Sequence, residues 1–105
     1  MRFITRATIC NESGNRLVRD KDFNKKMETI LSDVRPETVY FGIENGKRTL
    51  FAVVNVEGAH ELPRIAEPFW LALNAEVEFI PVMTREDFTK AGPSIESAGK
   101  KFNWW

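Results

Sequence analysis

The sequence predicts an α+β domain of β-α-β-β-α-β order with a C-terminal helical extension, and three observations predict it. First, Asn45-Gly46 sits between two alternating apolar runs. Asn-Gly is the preferred pair for a two-residue type I′ hairpin turn, because both central residues need positive φ. Second, apolar residues at helical spacing lie on both sides of that hairpin: Phe23, Met27, Ile30, Leu31 and Val34 before it, Ile65, Phe69, Leu71 and Leu73 after it. Third, Phe3–Cys10 and Glu76–Met83 read as a first and a last strand.

Taken in order, the first strand puts Phe3, Thr5, Ala7 and Ile9 on one face and Ile4, Arg6 and Thr8 on the other. Asn11–Asn15 is turn-rich, with Ser13 a candidate cap. One helix is expected from about Arg16 to Val34, stopped by Pro36, since the residue before a proline avoids the α region. The hairpin strands run from about Glu37 to Glu44 and Lys47 to Glu57. A type I′ turn pairs Glu44 with Lys47, Phe41 with Leu50, Tyr40 with Phe51 and Val39 with Ala52. One face then carries Val39, Phe41, Ile43, Leu50, Ala52 and Val54, and the other Tyr40, Phe51 and Val53, so both faces call for a covering layer. The next helix spans about Glu61 to Asn74, with Pro63 in its first turn and Pro68 expected to bend it. After the last strand, Thr84-Arg85-Glu86-Asp87 resembles a capping box with Asp in place of Glu or Gln. A short helix ending at Gly92 and a second one starting at Pro93 are expected there.

Right-handed crossovers around an antiparallel hairpin make this order a ferredoxin-like one, with helices on one sheet face and the other face open. An open face bearing Tyr40, Phe51 and Val53 calls for a partner, and the simplest is a second copy. The reading is one domain over residues 1–105.

Fifteen basic and fifteen acidic residues cancel, and the pI is near 6.6. A neutral chain lacks the general attraction that drives non-specific nucleic-acid or anionic-membrane binding. An RNA-recognition domain shares the element order, but Lys47–Asn55 lacks the glycine and most of the aromatics of its third strand. The single Cys10 forms no intramolecular disulfide, Arg2 and Arg6 bracket no signal-like apolar stretch, and no run approaches a membrane span. A cytoplasmic location, without membrane or nucleic-acid partner, is the expectation.

The stretch Ala66-Glu67-Pro68-Phe69-Trp70-Leu71-Ala72-Leu73-Asn74-Ala75, then Val77-Glu78-Phe79-Ile80-Pro81-Val82-Met83-Thr84, carries a likeness to known proteins. So do Glu86-Asp87-Phe88, Lys90-Ala91-Gly92-Pro93-Ser94-Ile95-Glu96, and Pro36-Glu37 leading into Tyr40-Phe41. From about Arg16 onward the chain resembles a small uncharacterised bacterial family of the dimeric α/β-barrel superfamily. That superfamily includes muconolactone isomerase, cofactor-independent monooxygenases and haem-handling proteins. The resemblance implies a homodimer with apposed sheets, and pockets between sheet and helices. It carries no assigned activity to this chain.

The site expected on these grounds takes a small apolar or aromatic ligand for cofactor-independent isomerisation or oxidation. His60, the only histidine, would carry the proton, with Tyr40, Arg64 and Trp70 shaping the pocket. His60 is also read as a solvent-facing residue before a helix, Trp70 and Tyr40 as core or interface, and Asn74 as a helix C-cap. Arg6 and Glu78 are expected to meet across neighbouring strands as an ion pair beneath the dimer partner. No metal-ligand spacing, nucleophile motif, phosphate loop or cofactor fingerprint occurs. The alternative is a non-catalytic dimeric binding or structural protein. Trp104 and Trp105 are read as docked on the partner or helix layer, or frayed.

Overall fold

The computed structural model describes residues 1–105. The hairpin joins β2 (Thr38–Glu44) to β3 (Lys47–Asn55), and both turn residues have positive φ, 53° at Asn45 and 73° at Gly46. Its register is the one a two-residue turn dictates, Glu44 facing Lys47 and Val39 facing Ala52. β1 (Arg2–Ile9) lies antiparallel to β3 on one side and to β4 (Glu76–Val82) on the other, giving the order β2-β3-β1-β4. With α1 (Asn11–Arg19), α2 (Phe23–Val34), α3 (Leu62–Leu73) and α4 (Arg85–Lys101), this is an α+β architecture compatible with a ferredoxin-like fold.

Alternation along the central strands decides which face is dry. Thr5, Ala7 and Ile9 of β1 and Leu50, Ala52 and Val54 of β3 are buried. The helix layer supplies Ile30 and Val34 from α2 and Ile65, Phe69 and Leu73 from α3. Phe3 and Phe79 meet edge to face at 5.8 Å on the same side. The layer stops short of the outer strand: Phe41 and Ile43 share the helix-covered face by register, yet remain 65% and 82% exposed. Alternation assigns a side chain to a face without saying whether a helix reaches that far.

Two helix boundaries differ from those the sequence predicts. The segment expected to form one helix up to Val34 is two. α1 begins at Asn11, so Ser13 lies inside it rather than at a cap, and Cys10 occupies the N-cap position. The chain breaks at Asp20–Asp22, where the Asp20 carboxylate accepts the Asp22 backbone N–H at 2.8 Å and pairs with Lys26. A short carboxylate competes in this way with helical hydrogen bonding. α2 ends in the expected place, with Arg35 left-handed (φ 52°) before Pro36.

Residues Arg85–Lys101 form one continuous helix through Gly92-Pro93. The restriction that proline imposes on its predecessor comes partly from that residue's Cβ, and Gly92 has none. Pro93 still removes one backbone donor, in a helix where no residue is buried. α4 therefore projects as an arm. The radius of gyration is 17.6 Å and the extents 58 × 29 × 21 Å, against about 13 Å for a compact chain of this length.

The capping box at the start of the arm forms in full. The Thr84 hydroxyl accepts the Asp87 N–H at 3.1 Å, and the Asp87 carboxylate accepts the Thr84 N–H at 3.1 Å. That bond from the Thr84 backbone holds the Asp87 carboxyl below the usual aspartate range. Its contribution is present above the unfolded-state value and fades as pH falls through the lowered folded one. As pH falls through that lowered value the first turn of α4 is expected to fray while the sheet persists, read as a loss of amide protection, relative to the unfolded-chain rate at the same pH, at Asp87 and Phe88. Protection there that survives protonation of the carboxyl would count against the cap.

Candidate functional site

The uncovered face of the sheet is built in rows across all four strands. One row runs Tyr40, Phe51, Arg6, Glu78; the next runs Thr38, Val53, Ile4, Ile80. Tyr40 is 63% exposed, and Phe51, Val53, Ile4 and Ile80 are half-buried by their neighbours in the sheet. Gly42 leaves room beside Phe51: a Cβ built there would stand 3.7 Å from the phenyl ring.

Arg6 organises the polar part of this surface. It pairs with Glu78 on β4, as the antiparallel register leads one to expect, and reaches over β3 to Glu44 of β2 at 2.8 Å. The hydrogen bond to Glu78, with the charge of Glu44, holds the guanidinium above its already high ordinary value. The triad ties three strands together on an otherwise apolar face. Its Glu44 arm was not expected from the sequence, although Glu44 has the same alternation parity as Tyr40.

The four residues expected to form a pocket do not meet at one place, although His60 and Arg64 both border Glu61. Tyr40 belongs to the uncovered face. Arg64 and Trp70 stand on α3, across the sheet from it, and His60 is exposed in a single 3-10 turn, Ala59–Glu61. Trp70 is 46% exposed, one position beyond the wholly buried Phe69. Arg64 is engaged in holding the helix layer together. Its guanidinium donates to the carbonyls of Asp33 and Val34 at 3.0 and 2.9 Å and pairs with Glu61 at 3.2 Å. It thus satisfies the end of α2, where carbonyls lack helical partners. Glu61 also accepts the Glu57 N–H at 2.6 Å, and this bond first, then Arg64, lowers its carboxyl. A shallow cleft of about 440 Å³ lies beside Arg64 between α2 and α3, with Asp33, Glu67 and Pro68 in its walls.

Asn74 is the C-cap of α3, left-handed at φ 52°, and its amide donates to the Ser13 hydroxyl at 3.2 Å. The Ser13 hydroxyl in turn stands 3.2 Å from the Cys10 sulfur, and donation from that hydroxyl, then from the Ser13 backbone N–H, favours the thiolate and holds the thiol below its ordinary value. No group of three or more His, Cys, Asp or Glu side chains gathers to hold a metal, and no helix is long and apolar enough to cross a membrane. Compared with models of known protein families and with curated proteins, the chain matches none.

Proposed function

We propose that this protein works as a homodimer, a dimeric α/β barrel whose two uncovered sheet faces pack on one another, and that it serves as a non-catalytic binding or structural protein. The observation that supports this most is the row structure of that face. Ile4, Phe51, Val53 and Ile80 sit where no helix of the same chain lies, and the charged residues among them are already paired. An apolar surface edged by satisfied ion pairs fits a protein interface.

The isomerase or monooxygenase reading, with a small apolar or aromatic substrate, needs a proton carrier and aromatic walls around one cavity. Within one protomer His60, Tyr40, Arg64 and Trp70 do not converge, and the space between sheet and α3 is filled by Ile65, Phe69 and Leu73. We assign no reaction on that basis.

Native mass spectrometry of gently purified protein tests the proposal. The expected species has twice the 12.1 kDa subunit mass and carries no small molecule. A single subunit at micromolar concentration would overturn the dimer, and a stoichiometric bound metabolite would restore the ligand-binding reading.

A further inference from the structure

Two cations at the hairpin end have no acid to neutralise them. Antiparallel register sets Lys47 opposite Glu44, but Glu44 is drawn to Arg6 at 2.8 Å. On the neighbouring helix, Glu12 pairs with Arg16 at 3.2 Å. Neither Lys47 nor Arg48 makes an ion pair. Both border one groove of about 370 Å³ between the hairpin end and α1, completed by Asn11, Asn15, Ile43 and Gly46. No carboxylate lines it, although the chain as a whole holds as many acids as bases.

The arginine in this groove is braced. Arg48 donates to the Asn15 side-chain oxygen at 3.2 Å, which turns the acceptor end of Asn15 to the guanidinium and leaves its NH2 group to donate elsewhere. Gly14 makes the fit possible. Glycine is the poorest helix former after proline, yet it occupies the fourth position of α1. A Cβ built there would stand 2.5 Å from an Arg48 guanidinium nitrogen, and its three nearest atoms all belong to Arg48. The missing side chain is what seats the Arg48 head against the helix.

We propose that this groove binds a phosphate group, as the dianion of a small phosphomonoester or of free phosphate. Two uncompensated cations match the nearly two negative charges that such a group carries at neutral pH. Lys47 supplies a point charge, and Arg48 supplies directed N–H groups that suit phosphate oxygens. The amides of Asn15 and Asn11 are further donors. A carboxylate would leave one cation unmatched. Ile43, 82% exposed on the same groove, offers an apolar wall to the body of a monoester. The groove is open, so bound phosphate exchanges with solvent and is lost on desalting, which leaves the native mass expected above unchanged. Every lining residue comes from one protomer, and the site does not depend on the dimer.

The test is a titration followed by backbone amide shifts in the full chain. Sodium phosphate and phenyl phosphate are added separately at about pH 7.5, where both are largely dianionic, with sodium chloride holding the ionic strength constant. Saturable shifts are expected at Asn11, Asn15, Lys47 and Arg48. Lys47→Ala is expected to weaken binding at least about tenfold, the worth of one hydrogen bond to a charged group. Gly14→Ala is expected to weaken it at least about fivefold by displacing the guanidinium. It should melt close to the parent, because α1 gains from alanine about what it loses with the Asn15 bond. Lys90→Ala, at an exposed lysine on α4, is expected to bind as the parent does. Tighter binding of phenyl phosphate assigns the site to a phosphomonoester resting on Ile43, and equal binding assigns it to free phosphate. Shifts that sodium chloride alone reproduces, or affinity unchanged in either Lys47→Ala or Gly14→Ala, would overturn the proposal.

Discussion

Truncating Phe69 to alanine is expected to cost about 3–5 kcal/mol of folding stability. Phe69 is the largest wholly buried side chain. It projects from the middle of α3 onto the sheet, so its removal leaves a hole walled by the rigid strands beneath. Total stability for a domain of this size is about 5–15 kcal/mol, so the variant is expected to melt at least 10 °C lower, at roughly 4–8 °C per kcal/mol. Trp70→Ala, one residue along the same helix but half in solvent, is the control. It removes a larger side chain and is expected to cost less, because little of what it loses was dry. Thermal unfolding by circular dichroism reads both. A smaller shift for Phe69→Ala than for Trp70→Ala would show that α3 does not carry the core contact through Phe69.

The hairpin and the buried helix stripes were legible because local chemistry and long-range packing agree there. Asn45-Gly46 accepts only a narrow set of turn geometries, and that turn fixes a register which buries Leu50, Ala52 and Val54 together. Ile30, Val34, Ile65, Phe69 and Leu73 follow helical periods and end up in the core. The break at Asp20 was not legible, because it depends on one carboxylate finding a backbone N–H and Lys26 instead of water. Continuity through Gly92-Pro93 was hidden by proline, whose usual effect is softened by the glycine before it. The exposure of Phe41 and Ile43 depends on how far the helix layer extends, which no period encodes. Site residues were harder still. Tyr40, His60, Arg64 and Trp70 stand out in the sequence for their chemistry, and chemistry alone does not bring side chains to one place. Arg64 shows the point: it lines a shallow cleft while its guanidinium holds the end of α2, and neither Tyr40, His60 nor Trp70 joins it there.

Replacing Phe51 by glutamate is expected to weaken self-association at least about 100-fold, making the 12.1 kDa subunit the main species at micromolar concentration. Phe51 sits mid-row on the uncovered face, between Tyr40 and Arg6. An unpaired charge buried in an apolar contact costs about 3–5 kcal/mol, and each 1.4 kcal/mol is about tenfold in affinity. Rescue by Arg6 is limited, because its guanidinium already serves Glu44 and Glu78. Folding of the subunit is expected to survive, since in the free protomer residue 51 is already partly in water and the glutamate can reach solvent. Sedimentation velocity measures the mass, and circular dichroism confirms the fold. Ile43→Glu is the control. Ile43 lies on the opposite face of the sheet from Phe51 and is 82% exposed, so little loss of affinity is expected. Equal losses in the two variants would mean that the uncovered sheet face is not the contact. A folded Phe51→Glu protein that still associates as tightly as the parent would place the interface elsewhere.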